Sequence, residues 1–375
     1  MALPEPPALR RLCRAPEAVA ALAPADWNAA LRAARGAQVL ARLGYRIEDA
    51  GMLAACPAPA RDAFLAARPY PAYIQTQVRR ELRHVLRALA PLQTDLILLK
   101  GAAYLGAGLA LSRGRHLRDL DILVRRERIG EIERRLLDLG WESGVANDYD
   151  QRYYREWMHE IPPLRHPERG LEVDIHHTLL PLTSRLRPDP ELFWSASLAL
   201  EGMPRVRVLC PADMVLHTAT HLFYDGEIRG GLGDLWDIDE LLRAFGPTPG
   251  FWDTLLARAA RTDLGRPLYY ALTFSRQLMG TAVPDAVLDQ ARGRFGPRAA
   301  VDRLMERLIT RVLNPADDAP PSAPVSDWLL YVRSHWLRMP PQLLIPHLLR
   351  KATRRLGRAT ADPAAPAPRS EPPGA

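Results

Sequence analysis

Asp119 and Asp121 stand one residue apart at the mouth of the apolar run Asp-Leu-Asp-Ile-Leu-Val, residues 119–124. On a strand, alternate side chains share a face, so both carboxylates leave the same side, about 7 Å apart along the chain. Two ionised acids so placed repel each other. A divalent cation relieves the repulsion, and Mg²⁺ takes one or two carboxylates completed by water and phosphate oxygens. Mn²⁺ suits the same donors. A third acid follows in Leu-Glu-Val-Asp-Ile-His, residues 171–176, where Leu171, Val173 and Ile175 alternate with Glu172, Asp174 and His176. If this segment pairs beside the first, the strands lie about 4.8 Å apart. The Asp174 carboxylate is then expected within about 6 Å of Asp119 or Asp121, near enough to share an ion. Three such carboxylates can hold two metal ions and support in-line attack on a phosphate. The competing reading is that an isolated Asp-x-Asp is a short, common pattern of solvated acids at a strand end.

The surroundings favour the chemical reading. Asp-Leu-Ile-Leu-Leu-Lys-Gly, residues 95–101, reads as a buried strand closed by a turn that feeds a helix. Backbone N–H groups at such a turn hold phosphates. Lys100 is one of two lysines among 50 basic residues, the other being Lys351. A compact ammonium at that turn could meet a triphosphate, although Lys351 shows that a lone lysine also falls in a tail. Arg115 and Arg118 flank His116-Leu117 just before the acid pair. His176 shares a face with Asp174 and could orient it or touch a phosphate. His217 and His221 have the i, i+4 spacing of helical metal ligands, but Thr218 stands where a zinc protease needs Glu. A structural role fits them better, with Asp234 or Asp237 pairing with His221 or Arg229. His159 and Glu160 precede Pro162-Pro163 and read as a loop.

The elements that must position these residues form a small α+β unit: strand, helix, strand, helix and a further strand over 93–184, expected as a mixed sheet. Helical periodicity fills 25–92 before it and 185–314 after it. Residues 1–24 are expected as a flexible N-terminus, 315–325 as a Pro-rich linker and 359–375 as a disordered tail. Residues 326–358 form a basic amphipathic segment in which Trp328 and Trp336 alternate with Arg333, Arg338, Arg350, Lys351, Arg354 and Arg355. That segment suits packing over the protein's own surface, or contact through 326–356 with an anionic membrane or RNA. The net charge of +7 and pI near 9.6 permit anionic partners, but the near-exclusive use of arginine points to a compositional bias. Three scattered cysteines imply no disulfide framework. No apolar h-region or run of about 18 apolar residues appears, so a cytoplasmic protein is expected.

Taken in order, the Lys-Gly turn, the helix, the Arg…Asp-hydrophobic-Asp-hydrophobic strand and the later Asp-bearing strand resemble the nucleotidyltransferase superfamily of the DNA polymerase β-like fold. Residues 93–245 carry the likeness, which is with its bacterial, uncharacterised nucleotidyltransferase branch. The resemblance implies an NTP and a hydroxyl acceptor on a small molecule, peptide or RNA as partners. It implies Asp119, Asp121 and Asp174 as metal ligands and catalytic acids. Lys100 and Gly101 would cradle the triphosphate, with Arg115 or Arg118 and His176 helping. The usual Gly-Ser or Gly-Gly is Gly101-Ala102 here, and the stretch from Gly101 to Asp119 is longer than the commonest spacing. The alternative is a non-catalytic protein of this fold that binds a nucleotide or a partner protein.

Overall fold

The computed structural model describes residues 7–144, 148–225, 228–313, 324–340 and 342. A seven-stranded mixed sheet runs through it. In chain order the strands are β1 (Leu96–Leu98), β2 (Asp119–Leu123), β3 (Glu142–Ser143), β4 (Leu164–Arg165), β5 (Glu172–His176), β6 (Leu198–Ala199) and β7 (Val206–Val208). Across the sheet the order is β3-β4-β5-β2-β1-β7-β6. β2 occupies the middle, antiparallel to β1 and parallel to β5. Its register sets Leu120 opposite Val173, Asp121 opposite Asp174, and Ile122 opposite Ile175.

Alternation decides which face is core. Leu120 and Ile122 on β2, and Val173 and Ile175 on β5, are fully buried on the side that the 21-residue helix Pro69–Leu89 and the helix Ile129–Asp138 help to cover. Slipping either strand by one residue would send the acids into that apolar layer, so the register is strongly specified.

The boundary expected at residue 184 does not limit the sheet. Val206 and Val208, inside the stretch read as helical, are buried and pair in parallel with β1, and Leu198–Ala199 adds the edge strand. These strands are two and three residues long, too short for periodicity to register. Residues 8–21 also depart from expectation. They form a helix, Ala8–Arg14, and a 3-10 turn, Pro16–Ala21, with Leu9, Leu12, Cys13 and Val19 buried. Pro and Ala content suggested a loose tail, but three apolar side chains in one turn-and-a-half supplied a face to pack. The remaining N-terminal helices, Pro24–Gly36, Leu40–Asp49 and Ala58–Ala66, follow the expected pattern.

After β7 the chain is helical, with Pro211–Thr220 and Leu232–Phe245 stacked against each other. The final described helix, Pro324–Arg338, belongs to the basic amphipathic segment and leaves Trp328 and Trp336 partly exposed. It docks on the protein itself, where Thr183, Arg185 and Tyr224 bond its last-turn carbonyls. The rest of that segment, with Arg350, Lys351, Arg354 and Arg355, and residues 315–323 of the Pro-rich linker lie outside the described residues. No described helix is long and apolar enough to cross a membrane.

Candidate active site

Each acid reaches the site by a separate local rule. Asp119 opens β2 and Asp121 follows two residues on, so both project from the face opposite Leu120 and Ile122. The parallel pairing with β5 places Asp174 beside Asp121. One carboxylate oxygen from each of the three acids lies within 4.8 Å of the others. The convergence expected from alternation is therefore present, although the two halves of the cluster are separated by more than 50 residues of chain.

Lys100 is held in an unusual backbone state. Its φ is +44°, in the left-handed region that a side chain with a Cβ seldom enters. Such strain persists only where the surroundings over-determine it. Here the Lys100 ammonium is fixed 2.9 Å from Asp121 Oδ1 and its backbone opens the helix Lys100–Gly106. The adjoining glycine is required by close approach. A Cβ on Gly101 would stand 2.1 Å from Leu117 Cδ2 and 2.3 Å from Arg115 Nη1. Arg115 thus presses its guanidinium against the turn, while its Nε donates to Asp237 Oδ2 at 2.8 Å. Arg118 is turned elsewhere: its Nη2 donates to Gln38 Oε1 at 2.6 Å. Both arginines precede β2, and their distant partners, Asp237 for Arg115 and Gln38 for Arg118, draw them apart. Of the two arginines expected to help at the turn, only Arg115 touches it.

His176 completes one side. The ring is buried, with Nε2 3.0 Å from Asp121 Oδ1 and Nδ1 3.4 Å from Glu160 Oε2. Asp121 Oδ1 therefore receives both Lys100 and His176, which leaves Oδ2 bonded to neither. Glu160 was expected in a loop; instead a single bridge pairs it with His176, and its carboxylate joins the site. His159, Glu160 and His176 bring one donor each within 4.8 Å of one another. Only the acid-His adjacency in Met-His-Glu hinted at this, and no periodic pattern marked it. His217 also lies near the cluster. Burial and the Lys100 charge push its pKa well below the usual histidine value. Its helix mate His221 turns instead to Asp234, with Nδ1 3.5 Å from Oδ2. Asp237 pairs with neither His221 nor Arg229; it holds Arg42 and Arg115.

The electrostatics divide the acids. Burial raises Asp121, but the Lys100 ammonium and the His176 ring outweigh it and hold its pKa well below the usual carboxylate range. Asp119 is pushed up to about 6 by burial and by the Asp121 charge. Asp174 rises well above the usual range through burial and the charges of Glu160, Asp119 and Asp121. Its Oδ1 is buried without a hydrogen-bond partner. An orphaned carboxylate oxygen is costly, and here it belongs to an acid clustered with two more. The set is all carboxylate oxygen, which suits a hard divalent cation such as Mg²⁺ or Mn²⁺. The residues present therefore fit a metal.

A family model described as uncharacterised nucleotidyltransferase matches residues 23–280, more than two thirds of the sequence and every residue of the site. The chain belongs to this nucleotidyltransferase family. Nucleotidyl transfer is accordingly the general class of activity to which the geometry must answer. Among curated proteins, none matches. Among solved structures, JHP933 from Helicobacter pylori is similar at 16% identity, covering 76% of this chain and 97% of that one with a TM-score of 0.31.

Proposed function

We propose that the protein is a metal-dependent nucleotidyltransferase that moves a nucleoside monophosphate from an NTP to a hydroxyl on a small molecule, peptide or RNA. The observation that carries the reading is the convergence of one carboxylate oxygen each from Asp119, Asp121 and Asp174 within 4.8 Å of one another, with Asp174 Oδ1 buried and without a hydrogen-bond partner. Asp119, Asp121 and Asp174 would hold Mg²⁺ or Mn²⁺, which when bound neutralises the charge on the phosphates.

The chain's own residues divide the remaining work. Lys100 and the Gly101 turn bind the triphosphate, with the Lys100 ammonium moving between Asp121 Oδ1 and phosphate oxygen. Arg115, held by Asp237, keeps a positive edge on the turn. His176 fixes Asp121 through Oδ1 and leaves its other oxygen for the metal. Asp174 accepts the proton of the incoming hydroxyl. The hydroxyl oxygen then bonds to the α-phosphorus, the bond to the bridging oxygen breaks, and pyrophosphate leaves.

The test is transfer of an α-phosphate-labelled NTP into material from a cell extract, run with each NTP and Mg²⁺. A labelled product that depends on Asp121 supports the reading. No product with any NTP, alongside intact NTP binding, favours instead a non-catalytic nucleotide-binding protein of this fold.

A further inference from the structure

A second polar site lies beyond the acid cluster. A cavity of about 250 Å³ opens between the N-terminal helices and the helix Leu232–Phe245, its charged lining being Arg14, Arg42, Arg46, Arg113 and Arg243 with the acids Asp49 and Glu240. None of Asp119, Asp121, Asp174, Lys100 or Gly101 lines it. Asp237 forms the partition: its Oδ1 lies 2.7 Å from Arg42 Nη1, and its Oδ2 accepts from Arg115 on the active-site side.

Most of these guanidiniums have local partners. Arg46 bonds Asp239, Glu240 and the Cys13 carbonyl. Arg243 bonds Asp239 and the Met279 carbonyl, and Arg113 bonds Asp49 while stacking on Tyr45. Arg42 is different. It is 5% exposed and lines the cavity; its Nη1 donates to the Gly233 carbonyl at 3.2 Å and its guanidinium lies over the Trp236 ring, but its Nη2 has no hydrogen-bond partner. The contact with Asp237 Oδ1 is an ion-pair approach without hydrogen-bond geometry, since that oxygen is also without a hydrogen bond. Burial holds the Arg42 guanidinium below its usual pKa despite Asp237 and Glu240. Arg14 anchors on the Gln277 carbonyl, a neutral acceptor that leaves its charge uncancelled by that bond.

A buried guanidinium whose Nη2 lacks a hydrogen bond, at the wall of a half-open cavity where five arginines outnumber the acids Asp49 and Glu240, calls for an anion with several acceptor oxygens. We propose that this cavity binds a phosphoryl group, as inorganic phosphate or as the phosphate of a small monoester. A phosphoryl dianion offers three terminal oxygens, enough to accept from the exposed forks of Arg14 and Arg113 and, once the Arg42 side chain shifts toward the cavity, from its buried Nη2. A carboxylate has two oxygens and one charge and satisfies fewer of these donors. The volume matches a small ligand, below the roughly 300 Å³ at which drug-sized sites begin. The proposal is independent of nucleotidyl transfer.

The full chain should be titrated calorimetrically in EDTA with inorganic phosphate, glycerol 3-phosphate and acetate. One phosphate per chain is expected, with acetate at least about tenfold weaker. Tighter binding of the glycerol phosphate identifies a monoester site; equal or weaker binding identifies inorganic phosphate. Arg14→Gln with Arg113→Gln, both changes at the cavity mouth, should weaken binding at least about tenfold, and Lys100→Ala should leave it unchanged. Arg42→Gln should abolish it; because that residue is buried, the mouth variant serves as the test if Arg42→Gln fails to fold. Loss of binding in Lys100→Ala with retention in the mouth variant would assign the phosphate to the active-site turn and overturn the proposal. So would the absence of binding, which would leave water as the partner of Nη2, or acetate binding equal to phosphate.

Discussion

The acid cluster and the arginine cavity sit on either side of Asp237, and they solve opposite problems by different means. The cluster is built on two neighbouring strands whose register fixes Asp121 beside Asp174. Nothing in that geometry lets the carboxylates spread apart, so their repulsion is built into the fold. The cavity is built from side chains on separate helices, long and flexible, and most of its arginines find carboxylates locally. One region concentrates charge of one sign on a rigid frame; the other pairs charges and leaves one buried Nη2, that of Arg42, without a hydrogen bond. A rigid frame of like charge is useful where a counterion must bind in a fixed place, whereas adaptable side chains can cancel one another when no ligand is present.

The comparison breaks most severely at Asp121, the acid that both Lys100 and His176 hold. Asp121→Asn should lower nucleotidyl transfer by about 10³-fold or more while the far-UV spectrum stays that of the wild type. Near-normal turnover of labelled NTP would remove the metal cluster from the chemistry.

Lys100 tests whether the cluster's one bonded ammonium serves the ligand as well as the acids. Lys100→Ala should weaken NTP binding by roughly 1.5–3 kcal/mol, about 10- to 150-fold, with acceptor affinity nearly constant. Equal NTP affinity by calorimetry would make Lys100 only a counterion for Asp121.

Gly101 tests the rigidity itself. A methyl group there collides with Leu117 and Arg115, so Gly101→Ala should cost about 1–3 kcal/mol of stability. A melting temperature unchanged from wild type would mean that the turn yields easily and is not a fixed cradle.

The smallest effect is the pH dependence of stability without metal. Asp119 and Asp174 have folded-state pKa values above their unfolded ones. Their contribution is full below the unfolded value of about 3.9 and is lost as pH rises through the folded values, about 6 for Asp119. Asp121 acts oppositely, but its contribution is lost only below the unfolded value, outside this window. In EDTA, the melting temperature of the wild type should therefore fall more between pH 4.5 and 7 than that of Asp174→Asn, roughly by a few degrees. Mg²⁺ should narrow the difference. Parallel slopes for the two proteins would show that the carboxylates do not repel as argued.

Alternation and spacing in the sequence determined the acid face: a strand reading Asp-Leu-Asp-Ile-Leu has one choice once its apolar residues enter a core. The Lys-Gly turn was equally legible, because an apolar run must end where a glycine admits close packing. What the sequence did not determine was which distant segments meet. Glu160 reaches His176 through one isolated bridge, and Arg115 parts from Arg118 only because one contacts Asp237 and the other Gln38. Leu12 and Cys13 find a core only when the helix Pro24–Gly36 and the distant segment Ser275–Met279 pack against theirs. The buried Arg42 fork likewise has meaning only beside Asp237, almost 200 residues away in the chain. Local periodicity sets the direction in which a side chain points, since that follows from backbone geometry. Its partner depends on long-range packing, which no short stretch of sequence contains.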